Sequence, residues 1–197
     1  MKRFCSKSQR DKRTFLPWRL FTVLWVLTAL GLLTVGCAPQ PSLARGASLT
    51  LTTFSENDAA VIVQLRRAAD GQVFLVATFT PLEAGFHLYS KDLPRNGVGG
   101  LGRPTLLELT PNSRMRASGA LTESVASEVS GADPSGVLIY PNGPVTLTLP
   151  VRLPAGGGWV DDEISLTYVV CSANGCKAPV TGQILPIKVP GAGALTN

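Results

Sequence analysis

The 197-residue chain is poor in the groups that carry acid–base and metal chemistry: it has one histidine, His87, and four cysteines. A structural zinc site takes four Cys or His ligands. The part of the chain that reads as folded offers two cysteines and His87, which is too few for such a site. No serine stands in a nucleophile-elbow context and there is no second histidine, so a hydrolytic triad has no material. Long basic runs are also missing. The formal charge of +5 divides into +6 for residues 1–36 (seven Lys and Arg against Asp11) and −1 for the remainder (eleven basic, twelve acidic). Beyond residue 37 no basic run exceeds Arg66-Arg67. Nucleic-acid binding needs basic charge on the folded surface, and here the charge belongs to the leader. The glycine-rich "GVGGLG" precedes a strand pattern and not a helix, so it lacks the geometry that cradles phosphate.

What is present begins with a secretion-type leader. Basic residues are followed by "LFTVLWVLTALGLLTV", sixteen mostly apolar residues, and then by "GC". A membrane span needs about twenty apolar residues. The pattern predicts a signal or anchor helix over residues 1–36. "LLTVGC" resembles the lipobox of bacterial lipoproteins, with Thr34 in place of the usual leucine, and that resemblance makes Cys37 the lipidation site and first mature residue. Either form places the folded part outside the cytoplasm and tethered to a membrane. Residues 37–47 read as a flexible tether and 191–197 as a frayed tail.

Between them, residues 48–190 form one domain of the usual single-core size. Period-two alternation recurs in "SLTLTTFS", "AVIVQLRR", "QVFLVATFT", "FHLYS", "TLLELT", "VTLTLPVRL", "ISLTYVV" and "GQILPIKV", each bounded by turn residues. Such spacing predicts an all-β, immunoglobulin-like antiparallel sandwich. His87 alternates with Phe86 and Leu88 and reads as a surface strand residue. Two stretches exceed hairpin length: the glycine-rich 91–104, and the small, acidic and polar 123–137.

Cys5 lies in the leader, which leaves Cys171 and Cys176 in a compartment where disulfides persist. A bond between them closes six residues, so chain entropy gives it only about 2 kcal/mol. Ser172-Ala173-Asn174-Gly175 already favours a turn. Structural bridges in sandwiches more often join distant strands, which argues for exchange chemistry. Lys177 follows Cys176, yet neighbours in a strand point to opposite faces and the cation need not help the sulfur. A structural hairpin clip on a surface-displayed binding or assembly module is the competing interpretation.

The order "TPLEAGFHLYS", "GRPTLLEL", "VTLTLPVRL" and "ISLTYVVCSANGCKAPVTGQILPIKV" resembles the amino-terminal periplasmic domain of DsbD, a thiol:disulfide interchange protein, over roughly residues 50–190. The tyrosine strand, the cysteine pair and the following "APV" carry most of the likeness. The resemblance implies an immunoglobulin-like domain whose cysteines cycle between dithiol and disulfide without an organic cofactor. It further implies thioredoxin-like extracytoplasmic partners and a membrane electron carrier. By position, Cys176 matches the cysteine that forms mixed disulfides and Cys171 the resolving one. The family's cap loop, with its aromatic side chain, corresponds to about Ser127–Val137. That stretch has no aromatic residue here, and Tyr140 is the nearest candidate.

Overall fold

A computed structural model describes residues 42–131 and 136–196. The expected leader helix, Cys37 and residues 37–41 of the tether lie outside the described residues. Among the described residues no helix is long and apolar enough to cross a membrane.

The first three strands, β1 (Ser48–Glu56), β2 (Ala59–Arg67) and β3 (Val73–Pro81), form a meander. Asn57 and Asp58 turn β1 into β2 with positive φ, a conformation that short Asx side chains tolerate. Shorter pieces follow: β4 (His87–Leu88), β5 (Leu106–Leu109), β6 (Arg116–Ala117), β7 (Thr122–Glu123), β8 (Glu128–Val129) and β9 (Leu138–Ile139). Long strands return with β10 (Val145–Arg152) and β11 (Trp159–Tyr168). The chain then forms the hairpin β12 (Val170–Ser172) and β13 (Gly175–Cys176), and ends its strands with β14 (Val180–Pro190).

Among the described residues the pairings between these strands are antiparallel. One sheet runs β1-β2-β3-β10, and β10 then pairs with both β6 and β7; a second, which packs against it, runs β14-β11-β5, with smaller sheets formed by β13-β12-β4 and β8-β9. In β2, Ala59, Val61, Val63 and Leu65 are fully buried while Ile62 is 46 % exposed. That alternation gives the first sheet one apolar face, and β10 repeats it with Val145, Leu147, Leu149 and Val151. Ile164, Leu166, Ile187 and Val189 supply the opposing face from β11 and β14. Phe79 and Tyr168 meet edge to face across the core, ring centres 5.7 Å apart. The result is the expected antiparallel β-sandwich, immunoglobulin-like in the broad sense.

Residues 42–47 and 191–196 pack on the sandwich, where the sequence pattern points to a tether and a frayed tail. Leu43 is buried and forms a parallel bridge with Leu195. The buried Arg67 guanidinium donates to the Leu43 carbonyl at 3.0 Å and to the Thr196 carbonyl. A lone leucine and a hidden cation therefore hold both segments down, and neither alters the polar composition that marks a linker.

Candidate functional site

The four residues from Tyr168 to Cys171 alternate between the two apolar clusters of the described residues. Tyr168 and Val170 point into the main core. Val169 and Cys171 point the other way, into a small cluster with Tyr89, Leu93 and Val137. β12 pairs with β4 on one side and β13 on the other. In this three-stranded sheet Val170 lies opposite Leu88, and Cys171 lies opposite both His87 and Cys176. Directly opposed residues of an antiparallel pair share a face. The core face thus carries Leu88 and Val170, and the outer face carries a row of His87, Cys171 and Cys176.

Cys171 and Cys176 are joined as a disulfide, with Cα atoms 4.0 Å apart. The turn between them is closed by Ser172, whose hydroxyl accepts the Asn174 N–H at 3.2 Å. Gly175 has φ +139°, which a residue with a Cβ adopts only under strain. The two sulfurs have unequal surroundings. Cys171 is 2 % exposed, whereas Cys176 is exposed to solvent. The Tyr89 hydroxyl lies 3.9 Å from the Cys176 sulfur.

This outer face is the floor of a cleft of about 660 Å³. One wall is the β8–β9 hairpin, contributing Ser130, Val137 and Ile139; the other includes Leu101 from the glycine-rich 91–104 loop. That loop is held by Arg103, whose guanidinium donates to the carbonyls of Asn96 at 3.0 Å and Gly100 at 3.1 Å. Gly102 lies flat on Tyr89: a Cβ there would come 3.0 Å from the ring. The adjacent Leu101 side chain is 54 % exposed beside the cleft.

Burial raises the Tyr89 phenol above its ordinary pKa and lowers His87 below the usual imidazole value. Lys177 takes no part on this face. Its ammonium is bound 2.5 Å from Asp58 and 3.4 Å from Glu83 and lies over the Phe86 ring. The hydrogen bond to Asp58 is the main cause of its raised pKa. Strand alternation places Cys176 towards the cleft and Lys177 on the opposite side.

Two sequence-level assignments need correction. His87 is half-buried in the cleft opposite Cys171 and is not a simple surface residue. Tyr140, the nearest aromatic to the cap region, is fully buried in the main core, and its hydroxyl accepts the Lys91 N–H at 3.0 Å. The aromatic side chain at the sulfurs is Tyr89. Both misplacements have a common origin: "GFHLYS" alternates, so residues 87 and 89 share a face, but nothing in the local pattern says that this face meets the cysteines.

Fold and site together define an antiparallel β-sandwich with a cross-strand disulfide, half exposed, at the floor of an open cleft. No family model matches the chain, and no curated protein matches it by sequence. Among solved structures the chain is similar to the crystal structure of the Neisseria meningitidis DsbD N-terminal domain in the reduced form. The alignment has 13 % identity and a TM-score of 0.38, and covers 72 % of this chain and 84 % of that one.

Proposed function

We propose that the domain is a thiol:disulfide oxidoreductase module that exchanges its Cys171–Cys176 bond with partner thiols while the sandwich stays folded. One observation carries this: one sulfur is open to a cleft while its partner is covered. Exchange requires an incoming thiolate to reach one sulfur of the bond. Attack at Cys176 forms the mixed disulfide there and releases Cys171 as the leaving group. The partner's second thiolate then attacks the partner's own sulfur in that mixed disulfide, leaving the domain as a dithiol and the partner as a disulfide. In the opposite direction reduced Cys176 attacks a partner disulfide, and Cys171 resolves the complex by attacking Cys176 and expelling the partner as a dithiol. The sequence resemblance to the DsbD amino-terminal domain gives the same two roles.

In this proposal the partners are thioredoxin-like extracytoplasmic proteins, with a membrane electron carrier supplying or accepting reducing equivalents. The leader and Cys37 would tether the domain to a membrane facing that compartment. Exposed Leu101 and half-buried Ile139 offer an apolar rim for a partner's active-site surface.

The test is equilibration of the folded protein with glutathione redox buffers, followed by alkylation to count thiols. Structural disulfides have potentials below about −300 mV, and an exchange pair lies above that range. A bond that stays closed until the domain unfolds would favour the alternative of a binding module with a structural clip.

A further inference from the structure

We propose that His87 is the proton donor and acceptor for Cys171 in the exchange reaction, which rests on the function proposed above. Cys171 is the sulfur that must leave as a thiolate when Cys176 is attacked, and it is the sulfur with least access to water. A thiolate released among Tyr89, Leu93, Val137 and Val169 is poorly solvated. His87 is its direct cross-strand partner, and both residues line the same cleft. Cβ atoms of such a pair are about 4.5–5.5 Å apart, close enough for an imidazole to reach the sulfur directly or through one water.

The step balances without an outside reductant other than the incoming thiol. A thiolate R–S⁻ forms a bond to the Cys176 sulfur, the Cys171–Cys176 bond breaks, and its electron pair stays on Cys171. His87 imidazolium gives its proton to that thiolate, leaving a neutral thiol and a neutral imidazole that is reprotonated from the open cleft. In the reverse direction neutral His87 removes the Cys171 proton. The new thiolate attacks Cys176 in the mixed disulfide and the partner departs as R–S⁻.

Other titratable groups near His87 are few. Tyr89, on its own strand segment, lies edge to face with the imidazole at 5.6 Å; its hydroxyl is 3.9 Å from the Cys176 sulfur and its ring packs in the cluster that holds Cys171. From the turn before β4, Glu83 is engaged with Lys177, which is also bound to Asp58. Glu128 belongs to the β8–β9 hairpin and is exposed. Burial, and no neighbouring charge, is the cause of the lowered imidazole pKa.

The experiment measures reduction of the oxidised protein by excess reduced glutathione, with acid quench and alkylation, between pH 5 and 9. Each rate is divided by the thiolate fraction of glutathione. For the native chain the corrected rate constant should be highest at low pH and fall as pH rises through a value below 6.5, where His87 loses its donor proton. His87→Gln should give a flat profile and a rate lower by about tenfold to a hundredfold at the acid end, at or below the usual span for general acid catalysis. His87 is the single histidine of the chain, so one imidazole C2–H resonance reports its titration in the unmodified protein. Reduction of the native chain should shift that titration. Equal rates and profiles for native and His87→Gln, or a resonance indifferent to reduction, would overturn the assignment while leaving exchange itself intact. No reaction of the folded native chain with glutathione would overturn the exchange function instead.

Discussion

Replacing both cysteines with alanine tests whether the sandwich depends on the bond it is proposed to break. The closed loop is six residues, so removing the cross-link releases about 2 kcal/mol of unfolded-state entropy. Only Cys171 is buried, and losing one small apolar group there adds about 1 kcal/mol. The damage is confined because Cys171 belongs to the small outer cluster, while the sheet-to-sheet core contains neither cysteine. Together about 3 kcal/mol is expected, a fall in Tm of roughly 6–12 °C for a domain of this size. Urea titration followed by tryptophan fluorescence, alongside thermal melts, gives both numbers, with the slope against urea unchanged. A double variant that is unfolded, or that loses more than about 5 kcal/mol, the upper end for native bridges in small secreted domains, would refute the reasoning. The bond would then be part of the scaffold, and a domain that melts when reduced is no carrier of thiols.

Further expectations follow from the same geometry. With Cys171→Ser the exposed Cys176 should trap a mixed disulfide with a thioredoxin-like protein on a non-reducing gel, and Cys176→Ser should trap none. Leu101→Asp should slow exchange with a protein partner several-fold while leaving the rate with glutathione unchanged, because the exposed side chain stands on the cleft's rim, where a protein surface rather than a small thiol would rest. Asp162 is buried and accepts the N–H groups of Arg114 and Met115 at 3.0 Å each. Asp162→Ala strands those donors and should cost about 2–4 kcal/mol in urea titration, more than the cysteine pair's chain-entropy share. Tyr168 donates to the Glu56 carbonyl at 2.8 Å, and burial pushes its pKa up to about 12. The folded value lies above the unfolded one near 10, so its stabilisation is complete below pH 10 and lost as pH rises through 12. Alkaline melts should show that loss in the native protein and less of it in Tyr168→Phe.

The sandwich was legible because β2, β10 and their neighbours alternate with period two, and an alternating strand declares which face is buried before any partner is known. The cysteine pair was legible for a similar reason: its turn is local, and the tendency of Cys176 and Lys177 to face apart follows from strand geometry alone. The 123–137 stretch was harder. Its β8–β9 hairpin is two residues wide on each side, too short for a period to register. His87 and Tyr89 face the sulfurs only because β4, more than eighty residues earlier in the chain, docks beside β12 in a particular register. Slipping that register by one residue would turn Leu88 outward and hide the imidazole. Leu43 and Arg67 likewise bind distant segments through contacts that composition does not encode.

The seam at β12 separates two kinds of constraint. Substitutions at Leu88 or Val170 disturb the packing of the whole sandwich, whereas positions 87, 89, 171 and 176 answer to a cleft that solvent already enters. One short ribbon therefore lets chemistry diversify on its outer side while architecture is conserved on its inner side. New reactivity can be installed there by exchanging single side chains, with the scaffold beneath left as it is.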